Sequence, residues 1–288
     1  MMPHSGSPQA PSNFHEGAWT KFDHTTAGTA LGLRTVGRQA HECLMAIDPA
    51  GQTIEKGTDR IHPGAMVVLA DQCLGSAASG ERPRHLVTLD LRLDWFGPAY
   101  DQSPIFCLAR TAGSLGRAIY VTGDLTQGEG GPLIAKASGQ FLMGASAGGF
   151  AGKNPAPQII AENLGWASFE DFLGLQGETA AYVLPAATHR IGSVFLPAVH
   201  GGITAATLQQ AMILEAQARR PGENLSLLSS TTQFLNAGAA REPLMVKTAW
   251  VRTGHSVLMA SATAYQARQP EPVGVSQATF IVSPRPIS

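Results

Sequence analysis

The sequence contains few charged residues and little cysteine. Charged side chains make up 14% of 288 residues, and the 20 Lys and Arg nearly balance the 21 Asp and Glu. No basic stripe with interleaved aromatic residues is present, which argues against a nucleic-acid partner. The three cysteines, Cys43, Cys73 and Cys107, are odd in number and lie far apart. We therefore expect buried structural thiols rather than a disulfide framework.

Long apolar runs and metal-binding motifs are also missing. No run approaches the roughly 18 apolar residues that a membrane-spanning helix needs. Residues 1–12, MMPHSGSPQAPS, lack the apolar segment of a signal peptide, so we interpret them as a disordered tail and expect a cytoplasmic location. No HExxH motif or close His/Cys cluster occurs, and we expect no metal and no cofactor.

An internal repeat divides the chain in two. RIHPGAMVVLADQ (60–72) and AVHGGITAATLQQ (198–210) both begin near a His-x-Gly and continue as an apolar segment. Further matched pairs lie 138 or 139 residues apart: His62 and His200, Gly64 and Gly202, Gly116 and Gly254, Phe141 and Phe280. The Gly- and Pro-containing stretch 144–165 is typical of a linker. We therefore predict an N-terminal domain at 13–143 and a C-terminal domain at 166–284.

Each half predicts one central helix and several strands. The helices, Gly64–Ala78 and Gly202–Ala218, are apolar nearly all round, so each must be surrounded by other elements. Segments of alternating apolar residues follow each helix and favour antiparallel strands. These patterns predict an α+β fold in which each half is a curved antiparallel sheet wrapped around one long helix.

The motifs resemble those of a known family. HPGAMVVLAD is similar to the HGG-x4-LAD motif of the PaaI-type acyl-CoA thioesterases, and VTLDLRLDWFGPA is similar to the strand segment that follows it. LPAVHGGITAATLQQ resembles the form of the motif that ends in Leu and an acid. The resemblance covers most of the chain and implies two hotdog domains packed as an intrachain pseudo-dimer.

This resemblance also implies how a site is built. Hotdog thioesterases act as dimers in which backbone N–H groups at the start of one helix bind the thioester carbonyl, while the partner's helix supplies a carboxylate. A tandem chain then has two sites that need not be equal. The implied substrate is an acyl-CoA, and two such chains could associate further as a homodimer.

The two halves differ at the positions that matter for this chemistry. A carbonyl under attack gains negative charge, which N–H groups at a helix start stabilise. Directly after the histidine stands Pro63, which has no N–H, in one half and Gly201 in the other. The carboxylate position holds Asp71 in one half and Gln209 in the other, and glutamine is neither nucleophile nor base.

A third position follows the same division. The family often places Ser or Thr on the strand after the helix, where this chain has Thr88 in one half and Leu227 in the other. We therefore predict one competent site, which Asp71 and Thr88 of the first half form with Gly201 and Gly202 of the second. Asp71 either attacks the carbonyl or activates a water molecule, and the sequence leaves both routes open.

Four further residues are candidates for substrate binding: His200, His62, Gln209 and Arg117. The histidines could instead hold the loop before each helix, and Arg117 could be a solvated surface arginine. A non-catalytic acyl-CoA-binding or sensing protein is the alternative function, although the carboxylate of Asp71 argues against it. A third function, that of a hotdog hydratase, is less favoured because its segment with Asp and His is not recognisable in this sequence. The acyl group is not readable from the sequence.

Overall fold

In the computed structural model, the first half of the chain forms a sheet around one helix. The structure describes residues 25–80, 86–144, 165–192 and 197–283. The elements of the first half are α1 (Thr26–Leu31), β1 (Leu33–Gln39), β2 (Glu42–Ile47), α2 (Pro63–Ser79), β3 (Leu86–Trp95), β4 (Ile105–Leu115), β5 (Ala118–Gln127) and β6 (Leu133–Met143).

The second half repeats this order. Its elements are α3 (Phe169–Leu173), β7 (Gln176–Glu178), β8 (Ala181–Leu184), α4 (Gly201–Arg219), β9 (Asn224–Phe234), β10 (Leu244–Thr253), β11 (Val257–Tyr265) and β12 (Gly274–Ser283). The strands at its edge are shorter than β1 and β2. In each half, a short helix and two strands precede the long helix.

All twelve strands belong to one antiparallel sheet. Their order is β1-β2-β4-β5-β6-β3-β9-β12-β11-β10-β8-β7. The halves meet at β3 and β9, where Asp90 pairs with Gln233 and Asp94 pairs with Ser229. The repeat is therefore joined edge to edge by backbone hydrogen bonds.

The two long helices lie against their own strands and against each other. α2 packs on β2, β3, β4, β5 and β6, and α4 packs on β9, β10, β11 and β12. Nearly every position of α2 is buried, as is most of α4. The helices meet closely because Gly202 has no side chain: a Cβ there would lie 2.8 Å from the Cα of Val68. This confirms the predicted arrangement of a sheet around one helix in each half.

The three cysteines lie in the core of the first half. All three are buried, and none of them forms a disulfide. The thiol of Cys73 on α2 donates to the carbonyls of Cys43 and Cys107, at 3.2 and 3.1 Å. Burial raises the pKa of Cys73 well above its usual range, so this thiol is unsuited to nucleophilic chemistry. The prediction of structural thiols is confirmed.

Several sequence predictions fall outside the described residues. The tail at 1–12 and most of the linker at 144–165 lie there, so the domain boundaries stay predictions. Both long helices extend one residue further at each end than expected, and each begins directly after its histidine. Among the described residues, no helix is long and apolar enough to cross a membrane.

Phe141 should carry a large share of the first half's stability. It is 2% exposed, and its ring lies where a Cβ on Gly75 of α2 would be 3.4 Å away. Phe141→Ala should lower the free energy of unfolding by about 3–5 kcal/mol because it leaves a cavity against α2. Urea denaturation measures this. Leu115→Ala is the control, because the Leu115 side chain is 86% exposed, and it should change the free energy of unfolding by less than about 0.5 kcal/mol. Equal losses of stability in the two variants would contradict the burial of Phe141 against α2.

Candidate active site

Asp71 is a buried carboxylate that receives hydrogen bonds from both halves of the chain. It lies on α2 and is 5% exposed. The Thr88 hydroxyl donates to Oδ1 at 3.0 Å, and the backbone N–H of Gly202 donates to Oδ2 at 2.6 Å. A carboxylate buried without such partners would be costly. The three groups that the sequence assigned to one site therefore meet.

Gly201 forms the open side of this cluster. It is the first residue of α4. Its N–H donates to no acceptor among the described residues, because the first N–H groups of a helix have no partner within the helix. A Cβ on Gly201 would lie 2.8 Å from Asp71 Oδ2 and 3.2 Å from Thr88 Oγ1. Gly201 and Thr88 are partly exposed, whereas Asp71 and Gly202 are buried. A ligand reaching the carboxylate thus passes Gly201 and Thr88.

The structure refines the role expected of the two glycines. The sequence offered both N–H groups to a substrate carbonyl, but the N–H of Gly202 donates to Asp71 Oδ2 and His200 Nδ1. The positive end of the α4 dipole still points at the site, and it favours negative charge there. The N–H of Gly201 remains available to an oxygen of a ligand.

A β-bulge sets the orientation of Thr88. β3 pairs Thr88 with Phe141 and Asp90 with Gln140, so one extra residue lies between them. Bulges bend a strand and redirect its side chains, and they are frequent beside active sites. β9 has the same irregularity, with Leu227 at the position of Thr88. The hydroxyl is therefore specific to the first half, although the backbone is not.

The two histidines cap their own helices, and each bonds the opposite one. His200 Nδ1 accepts from Gly202 N–H at 3.0 Å, so its Nε2 carries the proton and donates to Gln72 of α2 at 3.1 Å. His62 Nδ1 accepts from Gly64 N–H at 2.9 Å, and its Nε2 donates to Gln210 of α4 at 2.9 Å.

These glutamines were missed by the sequence reasoning. A signal was present, because Gln72 and Gln210 each stand ten residues after a histidine. Burial lowers the pKa of both rings, that of His62 to about 4, although the charge of Asp71 partly opposes the shift at His200. Both histidines are therefore neutral near pH 7, and both ring nitrogens of each are occupied. This arrangement favours a positioning role over direct contact with substrate.

The equivalent place in the other half differs at each chemical group. Gln209 is 1% exposed; its Oε1 accepts from Ser230 at 3.0 Å, and its Nε2 has no partner among the described residues. Pro63 begins α2 and has no N–H to offer. No carboxylate takes the place of Gln209. The geometry of the second site thus lacks the acid–amide pair of the first.

Arg117 lies apart from this cluster. It is exposed in the turn between β4 and β5, and its guanidinium contacts the carbonyl of Gly144 at 3.4 Å. No hydrogen bond of the described residues links it to Asp71. Its role in binding a CoA phosphate stays a prediction.

Other features of the surface do not add to the site. One surface hollow lies beside Glu215 and Trp250, and another beside Phe106 and Glu129; neither includes a residue of the Asp71 cluster. Among the described residues, no group of three or more His, Cys, Asp or Glu side chains is arranged to hold a metal ion.

Comparison with known proteins shows what this geometry is similar to. Residues 193–281 match a family described as the acyl-CoA thioesterase N-terminal domain. No curated protein matches the chain. The family match agrees with the expectation of a thioester hydrolase, and it does not single out the PaaI-like members.

Solved structures resemble nearly the whole chain. The tesB protein of Mycobacterium avium subsp. paratuberculosis has a TM-score of 0.62 at 14% identity, covering 90% of this chain and 98% of its own. A putative thioesterase from Novosphingobium aromaticivorans has a TM-score of 0.60 at 14% identity, covering 86% and 98%. The acyl-CoA thioesterase II TesB2 of Mycobacterium marinum has a TM-score of 0.55 at 12% identity, covering 91% and 98%. These likenesses extend over both halves and confirm the double-hotdog fold.

The buried histidines predict a loss of stability in acid. An unfolded chain takes up a proton at His62 near pH 6.5, whereas the folded chain resists it down to about 4. The contribution of His62 is thus complete above pH 6.5 and is lost as the pH falls toward 4, at most roughly 3 kcal/mol. Urea unfolding between pH 7 and 4 measures this slope. His62→Gln should flatten it, and an unchanged slope would show that the burial of this ring is not its source.

Proposed function

We propose that the chain hydrolyses an acyl-CoA thioester to the free acid and CoA at one asymmetric site between its two hotdog domains. The observation that carries the proposal is the meeting of Asp71 from α2 with the amide N–H of Gly202 from α4, at 2.6 Å. A buried carboxylate beside a helix N-terminus combines a base or nucleophile with a place for negative charge. The acyl-CoA thioesterase match over residues 193–281 supports the same chemistry.

In the proposed reaction, the thioester carbonyl lies against the start of α4. The N–H of Gly201 donates to the carbonyl oxygen, and the helix dipole stabilises the charge that forms there. An amide donor of this kind typically contributes about 3–4 kcal/mol to the barrier. Gly201 suits this role because it has no side chain to keep the carbonyl away from the backbone.

Asp71 supplies the other half of the chemistry. As a base it takes a proton from water while the water oxygen attacks the carbonyl carbon; the C–S bond then breaks, and the proton ends on the CoA sulfur. As a nucleophile it attacks the carbonyl carbon and displaces CoA as a thiolate, which takes up a proton, and water then hydrolyses the mixed anhydride to the free acid and Asp71. Thr88 holds Asp71 through Oδ1 in both routes, and it is a positioning residue. A single turnover in ¹⁸O-water separates the routes, because only the anhydride route can leave label in Asp71.

The second site is proposed to be inactive. It has Gln209 instead of an acid and Pro63 instead of an N–H donor, so neither half of the reaction can occur there. The residues of the active site come from both halves of one chain. Association into a homodimer and a cytoplasmic location remain predictions.

Asp71→Asn should abolish turnover while leaving the fold intact. The amide keeps the shape of the carboxylate but cannot act as base or nucleophile, so kcat/KM should fall about 10³-fold or more against a panel of acyl-CoA substrates. The measurement is release of free thiol. Gln209→Ala, at the equivalent position of the second half, should retain activity. Comparable losses from both variants would contradict a single active site.

If Asp71→Asn still binds acyl-CoA and the wild-type protein releases no thiol from any member of the panel, the chain is a binding protein and the proposal is wrong. Calorimetry therefore measures binding of the same substrates to the wild-type protein and to Asp71→Asn, alongside the kinetic assay. The panel should include short, medium-length and aromatic acyl groups.

Gly201→Ala should lower activity by crowding the carboxylate and the place of the substrate carbonyl. The added methyl group would lie 2.8 Å from Asp71 Oδ2, so it would displace the carboxylate and fill the space where the carbonyl docks. We expect kcat/KM to fall about 10²-fold, as for the loss of an oxyanion donor. Pro63→Ala at the start of α2 is the matched control and should have wild-type activity. Equal activity of the two variants would argue against the start of α4 as the carbonyl site.

A further inference from the structure

The short helices α1 and α3 dock in equivalent ways. The N–H of Ala27 donates to the carbonyl of Ile191 at 3.0 Å, and the N–H of Phe169 donates to the carbonyl of Ile54 at 2.8 Å. Both acceptors lie in the segment before the opposite half's histidine. Each helix ends at a glycine in the left-handed conformation five residues later. Ala27 and Phe169 therefore occupy matching places beside the two sites.

Phe169 closes the second site with its ring. The ring stacks on His62 with 4.5 Å between centroids and 15° between planes. It also lies over the start of α2, because a Cβ on Gly64 would be only 2.5 Å from its Cε1. Phe169 itself is completely buried. An aromatic ring thus covers Gly64 in the first turn of α2, and Gly64 is the residue that corresponds to Gly202 of the active site.

The active site has no such ring among the described residues. Ala27 stands at the matching place with a single methyl group, and the His200 ring has no described aromatic neighbour. The histidines are otherwise held alike, each by its own helix and by the opposite glutamine. The two sites therefore differ in the ring beside the histidine as well as in their chemical groups.

The second site has also kept a polar group without a partner. Gln209 corresponds to Asp71, and its Nε2 is buried with no hydrogen bond among the described residues. A buried donor left unpaired costs about 1–3 kcal/mol. The carbonyl oxygen of a ligand would satisfy it.

We infer that the second site is a latent acyl-thioester pocket, in which Phe169 takes the space that the acyl end of a substrate takes beside His200 in the active site. The inference rests on the proposed function. The pocket would bind an acyl-CoA without hydrolysing it, because Gln209 can donate to a carbonyl but cannot activate water. The ring of Phe169 prevents a ligand from binding in this pocket.

The test counts binding sites with phenacyl-CoA, a thioether whose ketone mimics the thioester carbonyl and which cannot release CoA by hydrolysis. Isothermal titration calorimetry should give one site per wild-type chain and two per Phe169→Ala chain. Phe172→Ala is the matched control, since it removes an equally buried ring of α3 that does not lie over Gly64, and it should give one site. Near-UV circular dichroism checks that each variant is folded.

Two sites in the wild-type protein would overturn the inference, because the ring then blocks nothing. One site in folded Phe169→Ala would overturn it as well and would leave the proposed function standing. If Phe169→Ala does not fold, Phe169→Val, which leaves a smaller cavity, takes its place in the count with the same expected result of two sites. No binding to any of the proteins would remove the proposed function together with the inference.

Discussion

The hydrogen bond from Gly202 N–H to Asp71 Oδ2 is the contact on which the site depends. It joins the start of α4 to the interior of α2, and it satisfies a carboxylate that burial would otherwise destabilise. It forms because Gly202 lets the helices approach until its Cα lies against the backbone of Val68. Any larger residue there would separate the acid from the amide donors. Packing and chemistry are thus set by the same glycine.

Around this contact the scaffold is symmetric and the chemistry is not. Both histidines cap their own helix and bond a glutamine of the other, and both strands that follow a helix have a bulge at the same place. These shared features hold the two sites in the same shape. At the sites themselves the chemical differences lie in side chains, with Asp71 against Gln209 and Thr88 against Leu227. A duplicated frame can therefore keep one site while the other changes.

Much of this could be predicted from the sequence, because the features concerned are local. Proline's missing N–H and glutamine's missing charge follow from residue identity, so Pro63 and Gln209 distinguish the two sites on the sequence alone. The apolar helices predicted their own burial, and the resemblance to the hotdog thioesterases implied the pseudo-dimer.

What escaped prediction depends on contacts between halves. The bonds from His200 to Gln72 and from His62 to Gln210 form only because the two helices lie side by side, and so does the bond from Gly202 N–H to Asp71. The position of Phe169 over Gly64 depends on docking across 105 residues of chain, which no local pattern encodes.

The seam between β3 and β9 has a consequence for how such a site survives dilution. In a pair of separate chains, the groups that meet between subunits part when the protein concentration falls below the dissociation constant. Here a covalent tether and a shared ladder of backbone hydrogen bonds keep the partners together at any concentration. Assembly is complete when the single chain folds, and scarcity of the protein cannot dismantle it.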